Sequence, residues 1–117
     1  MQFNHVGIPT TEKHADEIYL ADAKLYVTAY DASPYKIEFL RFEEGSPMPE
    51  ILQTTAHVAF MVDDLAAAMA GKDVLLEPFE PMEGLRVGFI ISDGAPVELM
   101  QEIPVKPASG CGCCGCS

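Results

Sequence analysis

A chain of 117 residues with a net charge of −11, from 18 acidic and 7 basic side chains, is long enough for one domain with an ordinary core. A hydrophobic content of 49% with 21% charged residues excludes disorder, and the acidity argues against nucleic acid or an anionic membrane surface as partner. No apolar run approaches the roughly 20 residues that span a bilayer, and "MQFNHVGIPT" lacks the blocks of a signal peptide, so a cytoplasmic location is expected.

In chain order, "QFNHVGI" alternates as a strand and "PTTEKHAD" is polar. Thr10 or Thr11 offers a helix cap, but at most about two turns fit before "EIYL" alternates again, so a helical stub is expected over 10–17. "KLYVTAY" is rich in β-formers, "DASPY" is a turn, and "YKIEFLRF" is a strand with Lys36, Glu38, Leu40 and Phe42 on one face. Pro47 and Pro49 mark "EEGSPMPEILQTT" as a connection. The pattern then restarts with the strand "HVAFMV", a helix "DDLAAAMAGK" capped by Asp63 or Asp64 and ended by Gly71, and the strand "DVLLEP". "EPFEPMEG" reads as a loop, a flap candidate over a site. "RVGFIIS", the tight turn "DGA" and "PVELMQE" close the ordered part.

The two halves look like repeats. "NHVGI" matches "AHVAF", and "YKIEFLRF" matches "APVELMQE". A histidine opens the first strand of each half, and a glutamate sits inside the last: His5 with Glu38, His57 with Glu98. Each of these strands presents large apolar residues on one face and a single ligand-type side chain among small or apolar neighbours on the other. An imidazole or carboxylate on such a face is costly unless paired or metal-bound. Two imidazoles and two carboxylates suit a borderline divalent ion (Ni, Co, Zn, Fe or Mn) and leave positions open for substrate. The expected metal ligands are therefore His5, Glu38, His57 and Glu98.

These residues resemble the vicinal oxygen chelate superfamily, which includes glyoxalase I, methylmalonyl-CoA epimerase, extradiol dioxygenases and the fosfomycin and bleomycin resistance proteins. The similarity covers residues 1 to about 102 and is carried by "HVGIPT", "HVAFMVDDLAAAM" and "GFIISDGAPVELMQ". The resemblance implies an α+β fold of two βαβββ modules, at about 1–45 and 54–102, forming a cupped, mixed eight-stranded sheet. Residues 103–117 would then be a Cys/Gly-rich tail. The His, Glu, His, Glu set is similar to that of bacterial glyoxalase I and points to isomerase or lyase chemistry. Glu98 or Glu38 would be the base that removes a proton next to a carbonyl of a small substrate with two adjacent oxygens. The alternative is a non-catalytic module of the same fold that binds a small molecule or metal.

Several positions depart from the family pattern. Pro9 stands where glyoxalase I has an arginine for the glutathione carboxylate, and Phe42 where an asparagine is expected. "KLYVTAY" has no counterpart of the epimerase base. The ligand set persists without the family's substrate clamps. Of the tyrosines at 19, 26, 30 and 35, any that lines the cup would bond a substrate oxygen, while the others pack on the sheet. Arg41 and Arg86 are expected to pair with acids, and His14 to be solvated. A reduced first helix would leave Val6, Ile8, Ile37 and Phe39 bare on the back of the sheet, so a homodimer is expected, unless Met48, Ile51 and Leu52 fold over that face. Cys111, Cys113, Cys114 and Cys116 form a dense thiol cluster whose soft ligands suit Zn or Cu(I), or a redox role, although a disulfide between neighbours Cys113 and Cys114 would be strained; the alternative is an accessory tail with no bearing on the cup.

Overall fold

The computed structural model describes residues 1–105. The cysteine cluster, and with it both readings of the tail, as a metal or redox element or as an accessory segment, lies outside the described residues. Strands β1 (Gln2–Pro9), β2 (Ile18–Leu20), β3 (Leu25–Val27) and β4 (Ile37–Phe42) form the first module. Strands β5 (His57–Met61), β6 (Asp73–Met82), β7 (Leu85–Ser92) and β8 (Ala95–Glu102) form the second. All eight join in one curled mixed sheet, in the order β2-β3-β4-β1-β5-β8-β7-β6. β1 runs parallel to β4 and β5 parallel to β8, while β1 and β5 meet antiparallel at the centre. The halves are thus related across the β1–β5 seam, as the repeat requires.

Only the second module carries a helix on the back of its sheet. Helix α2 (Leu65–Met69) starts at Asp64, whose Oδ1 accepts the Ala67 N–H at 3.1 Å. The Gln101 side chain accepts the Leu65 N–H at 2.8 Å, tying the helix to β8. Leu65 and Met69 are buried against Ile90 and Leu99, with Phe60 and Val97 alongside. The strand residues of this cluster, Phe60, Ile90, Val97 and Leu99, come from the convex face.

The expected stub over 10–17 is not helical. The segment is polar and has no apolar stripe to hold a helix on the sheet, and its side chains bond the backbone locally instead. Thr10 Oγ1 accepts the Glu12 N–H and Glu17 accepts the His14 N–H. Arg41 on β4 grips Glu17 through Nε at 2.8 Å and a terminal nitrogen at 2.7 Å, while the His14 ring stacks on Phe39 at 4.6 Å. His14 is therefore half-buried on the sheet and not simply solvated. This strap covers part of the convex face, leaving Val6, Ile8, Ile37 and Phe39 half-buried.

Two further expectations change. The Pro-rich connection contains a short helix, α1 (Glu50–Thr54), and it packs on the opposite face from the one proposed as internal cover. Leu52, 2% exposed, clusters with Ala59, Val87, Phe89 and Met100, and Met48 and Ile51 pack around it. Ala59 is small, so the concave face has a hollow there that a leucine fills. Secondly, "EPFEPMEG" is not a loop, because β6 runs to Met82 and only Glu83 and Gly84 turn the chain. Pro78 and Pro81 are accommodated because β6 is an edge strand, where a missing N–H need not break a ladder. Its register with β7 slips at three places along this stretch. Lys36, with φ +58°, lies just outside β4 and does not extend that strand's concave face. No helix among the described residues is long and apolar enough to cross a membrane.

Candidate metal centre

His5 reaches the concave face through an irregularity in β1. Pairing with β5 shifts between Phe3 and His5, so that Phe3 opposes Phe60 on one face and His5 opposes Ala59 on the other. Asn4 is the extra residue. Its Oδ1 lies 2.7 Å from His5 Nδ1. An amide oxygen only accepts, so Nδ1 carries a proton and Nε2 is turned into the cup.

His57 is placed by a glycine. Gly7 is its register partner across the β1–β5 seam, and a Cβ at position 7 would lie 2.3 Å from the imidazole Cε1 and 2.6 Å from Nε2. The ring thus occupies the space of the missing side chain. Phe89 on β7 closes its other side, edge to face at 5.3 Å.

Glu38 is the partner of Gly7 in the β1–β4 ladder, and Glu98 pairs with Ala59 and Phe89. Glu98 Oε1 lies 3.1 Å from His57 Nε2 and 3.3 Å from His5 Nε2, while Glu38 Oε1 lies 3.4 Å from His5 Nε2. One potential ligand atom from each of the four residues falls within 4.8 Å of the others. The structure therefore brings together all four residues expected from the sequence.

The burial of these groups is what makes the cluster unusual. His5 is 1% exposed, His57 3% and Glu98 8%. Burial alone would lower the His5 pKa, but contact with Glu38 and Glu98 outweighs it and raises the value to about 9. Burial alone would raise that of Glu98, but His5 and His57 outweigh it and hold the carboxyl at about 2. The site is built to receive positive charge. Even so, His5 Nε2 and His57 Nδ1 are buried without an aligned hydrogen-bond partner. Convergent carboxylates and an orphaned imidazole nitrogen fit a divalent ion better than a proton, and the mixed N/O donor set suits the borderline metals.

The quartet sits in the wall of a cavity of about 400 Å³. Tyr30 also lines it, its ring stacked on His5 at 4.2 Å. Burial, with Glu38 and Glu98 nearby, raises the Tyr30 pKa, so its hydroxyl keeps its proton. The other tyrosines lie elsewhere: Tyr19 donates to Glu43, Tyr26 lies under Arg41, and Tyr35 is 78% exposed. The two arginines are both engaged with acids, Arg41 with Glu17 and Arg86 with Glu80. The stretch read as a flap does face the cup, through Phe79, Pro81 and Met82, but as strand. Asn4 and Gly7 were not singled out by sequence reasoning. A glycine two positions after His5, on the same strand face, was the only signal for Gly7; a bulge at Asn4 left none.

No family model and no curated protein matches the chain. Solved structures do. A hypothetical protein from Bacillus halodurans aligns over 91% of this chain and 97% of its own, with 18% identity and a TM-score of 0.64. Methylmalonyl-CoA epimerase from Mycobacterium tuberculosis aligns over 88% of this chain and 89% of its own, with 18% identity and a TM-score of 0.59. At such identities the likeness is one of fold. The curled mixed sheet is a fold shared with a methylmalonyl-CoA epimerase, one of the proteins named in the sequence resemblance.

Proposed function

We propose that this protein is a metal-dependent enzyme of the glyoxalase type, an isomerase or lyase that moves a proton next to a carbonyl in a small substrate with two adjacent oxygens. The observation that carries this reading is the convergence of His5, Glu38, His57 and Glu98, from four strands of two modules, on one cavity. A similarly folded protein that is an epimerase by name supports it. Residues 1–102 would form the working domain, with 103–117 an accessory tail, in a cytoplasmic protein.

A divalent ion bound by the quartet would supply Lewis acidity to the substrate's paired oxygens. The chain supplies the rest. Asn4 fixes the His5 ring and Gly7 admits the His57 ring, so both imidazoles are oriented before anything binds. The two carboxylates differ. Glu98 contacts both histidines, which makes it the firmer anchor. Glu38 has one longer contact, to His5, and a more open side chain, so it is the better placed to take the proton and return it. Tyr30, protonated and in the cavity, donates to a substrate oxygen.

The direct test is exchange of the α-proton with solvent deuterium across a panel of hydroxy- and ketocarbonyl compounds, using protein loaded with Ni, Co or Mn. Exchange of at least one compound is expected. Tight binding without exchange would favour the non-catalytic module.

A further inference from the structure

The cavity walls say what kind of substrate the quartet serves. We infer that its ligand carries an uncharged, apolar body of several carbons, seated against β3 and β4, with no anionic group beyond its oxygen head; this rests on the reading of the quartet as the site for that head.

The argument begins with Leu25, Val27 and Leu40. They form a buried cluster on the concave face of the first module, with Phe42 packed against it. All four line the cavity, facing Phe79 and Leu52 from the second module and α1. Two other apolar faces have a helix over them: α2 lies on the convex face of the second module and α1 over Ala59 and Met100 on the concave face. Over β3 and β4, among the described residues, no α-helix lies: Leu20 and Ala23 pack beside the cluster, and the cavity borders the rest of it. A cavity of this volume is in the usual range for small-molecule sites, about 300–1,000 Å³, and such sites gain most of their affinity from apolar contact.

Charge excludes the other large class of ligand body. The charged groups lining the cavity, apart from the quartet's own, are Asp22 and Glu80, both exposed and both acidic. Among the described residues, no lysine or arginine lines it. Arg86, which touches the lining residue Glu80, is paired with it at 3.1 Å. A phosphate or carboxylate arm would meet two acids in a chain of net charge −11 and find no partner. An aliphatic or aryl arm meets leucine, valine and phenylalanine.

The test uses three hydroxamic acids with one head and different arms, titrated into the zinc-loaded full chain while the methyl resonances of Leu25, Val27 and Leu40 are followed by NMR. Acetohydroxamic acid has no arm, octanohydroxamic acid an apolar one, and suberic acid monohydroxamate an arm of the same length ending in a carboxylate. At about fourfold per buried methylene, octanohydroxamic acid should bind at least about fiftyfold more tightly than acetohydroxamic acid, shifting all three residues. The carboxylated arm should lose at least about tenfold of that gain. Ala21→Lys, at an exposed position on the rim, should restore the carboxylated compound and leave acetohydroxamic acid unchanged. Equal binding of all three overturns the inference while leaving the metal reading standing. If the protein takes up no zinc at the quartet, the metal reading falls by itself, and 1-octanol, which needs no metal, becomes the probe. Failure of 1-octanol to shift those methyls would then overturn the apolar pocket as well.

Discussion

Gly7 and His57 face one another across the β1–β5 seam so closely that a Cβ on residue 7 would stand 2.3 Å from the imidazole. The histidine is placed by an absence on the neighbouring strand. Gly7→Ala should therefore displace His57 without removing any ligand. We expect metal affinity to fall by about ten- to a hundredfold, the range found when groups that orient ligands are lost. Calorimetric titration of the variant checks this, and wild-type affinity would mean that His57 does not hold the ion.

Metal stoichiometry should be one ion per chain in protein ending at Val105, which lacks the tail thiols. His57→Ala should abolish stoichiometric binding by that protein, as measured by elemental analysis after purification without chelators. Unchanged content would place the ion elsewhere.

The two carboxylates should separate in function. Glu38→Gln should keep most of the metal but slow α-proton exchange by about a hundredfold or more, within the usual span for a lost general base. Glu98→Gln should lose metal first, because Glu98 joins both histidines. The reverse pattern would exchange the roles of base and anchor.

The strap over the convex face should report itself in acid. Two bonds from Arg41 hold the Glu17 carboxyl at about 2, below its ordinary 4.5, with the His14 N–H adding to the effect. A depressed carboxyl stabilises the fold fully above pH 4.5 and loses that contribution as pH falls through about 2. Denaturant midpoints of Glu17→Gln should lie below wild type at pH 7 and approach it between pH 4.5 and 2. A constant gap across that range would show that the pair does not titrate as described.

The convex face of the first module should pair with a second copy. The strap leaves Phe3 51% exposed, and Val58, across the seam on β5, is 38% exposed, beside half-buried Val6, Ile8, Ile37 and Phe39. Apolar surface of this kind marks an interface. Sedimentation at micromolar concentration in reductant should give a dimer, and Val58→Lys should dissociate it. A 12.7 kDa species for the wild type would refute the dimer.

Much of this was legible before any coordinates, because strand alternation and an internal repeat are properties of the chain alone. They assign His5, Glu38, His57 and Glu98 to equivalent positions on the same face of their strands, and joining the modules through β1 and β5 turns those positions toward one another. The helix α2 was equally plain, with Asp64 to start it and alanines to carry it. What the tertiary structure decided were matters of neighbours. Leu52 chose the concave face because Ala59 leaves a hollow there, walled by Val87, Phe89 and Met100 from strands distant in sequence. The prolines of β6 read as a loop until the strand proved to be an edge, where their missing N–H groups go unneeded. The segment 10–17 became a strap because Arg41 and Phe39 lie within its reach. Gly7 became part of the site only when β5 was laid beside β1. Local patterns encode which way a side chain points; which side chain it meets depends on contacts between segments distant in sequence, and those exist only once the sheet has formed.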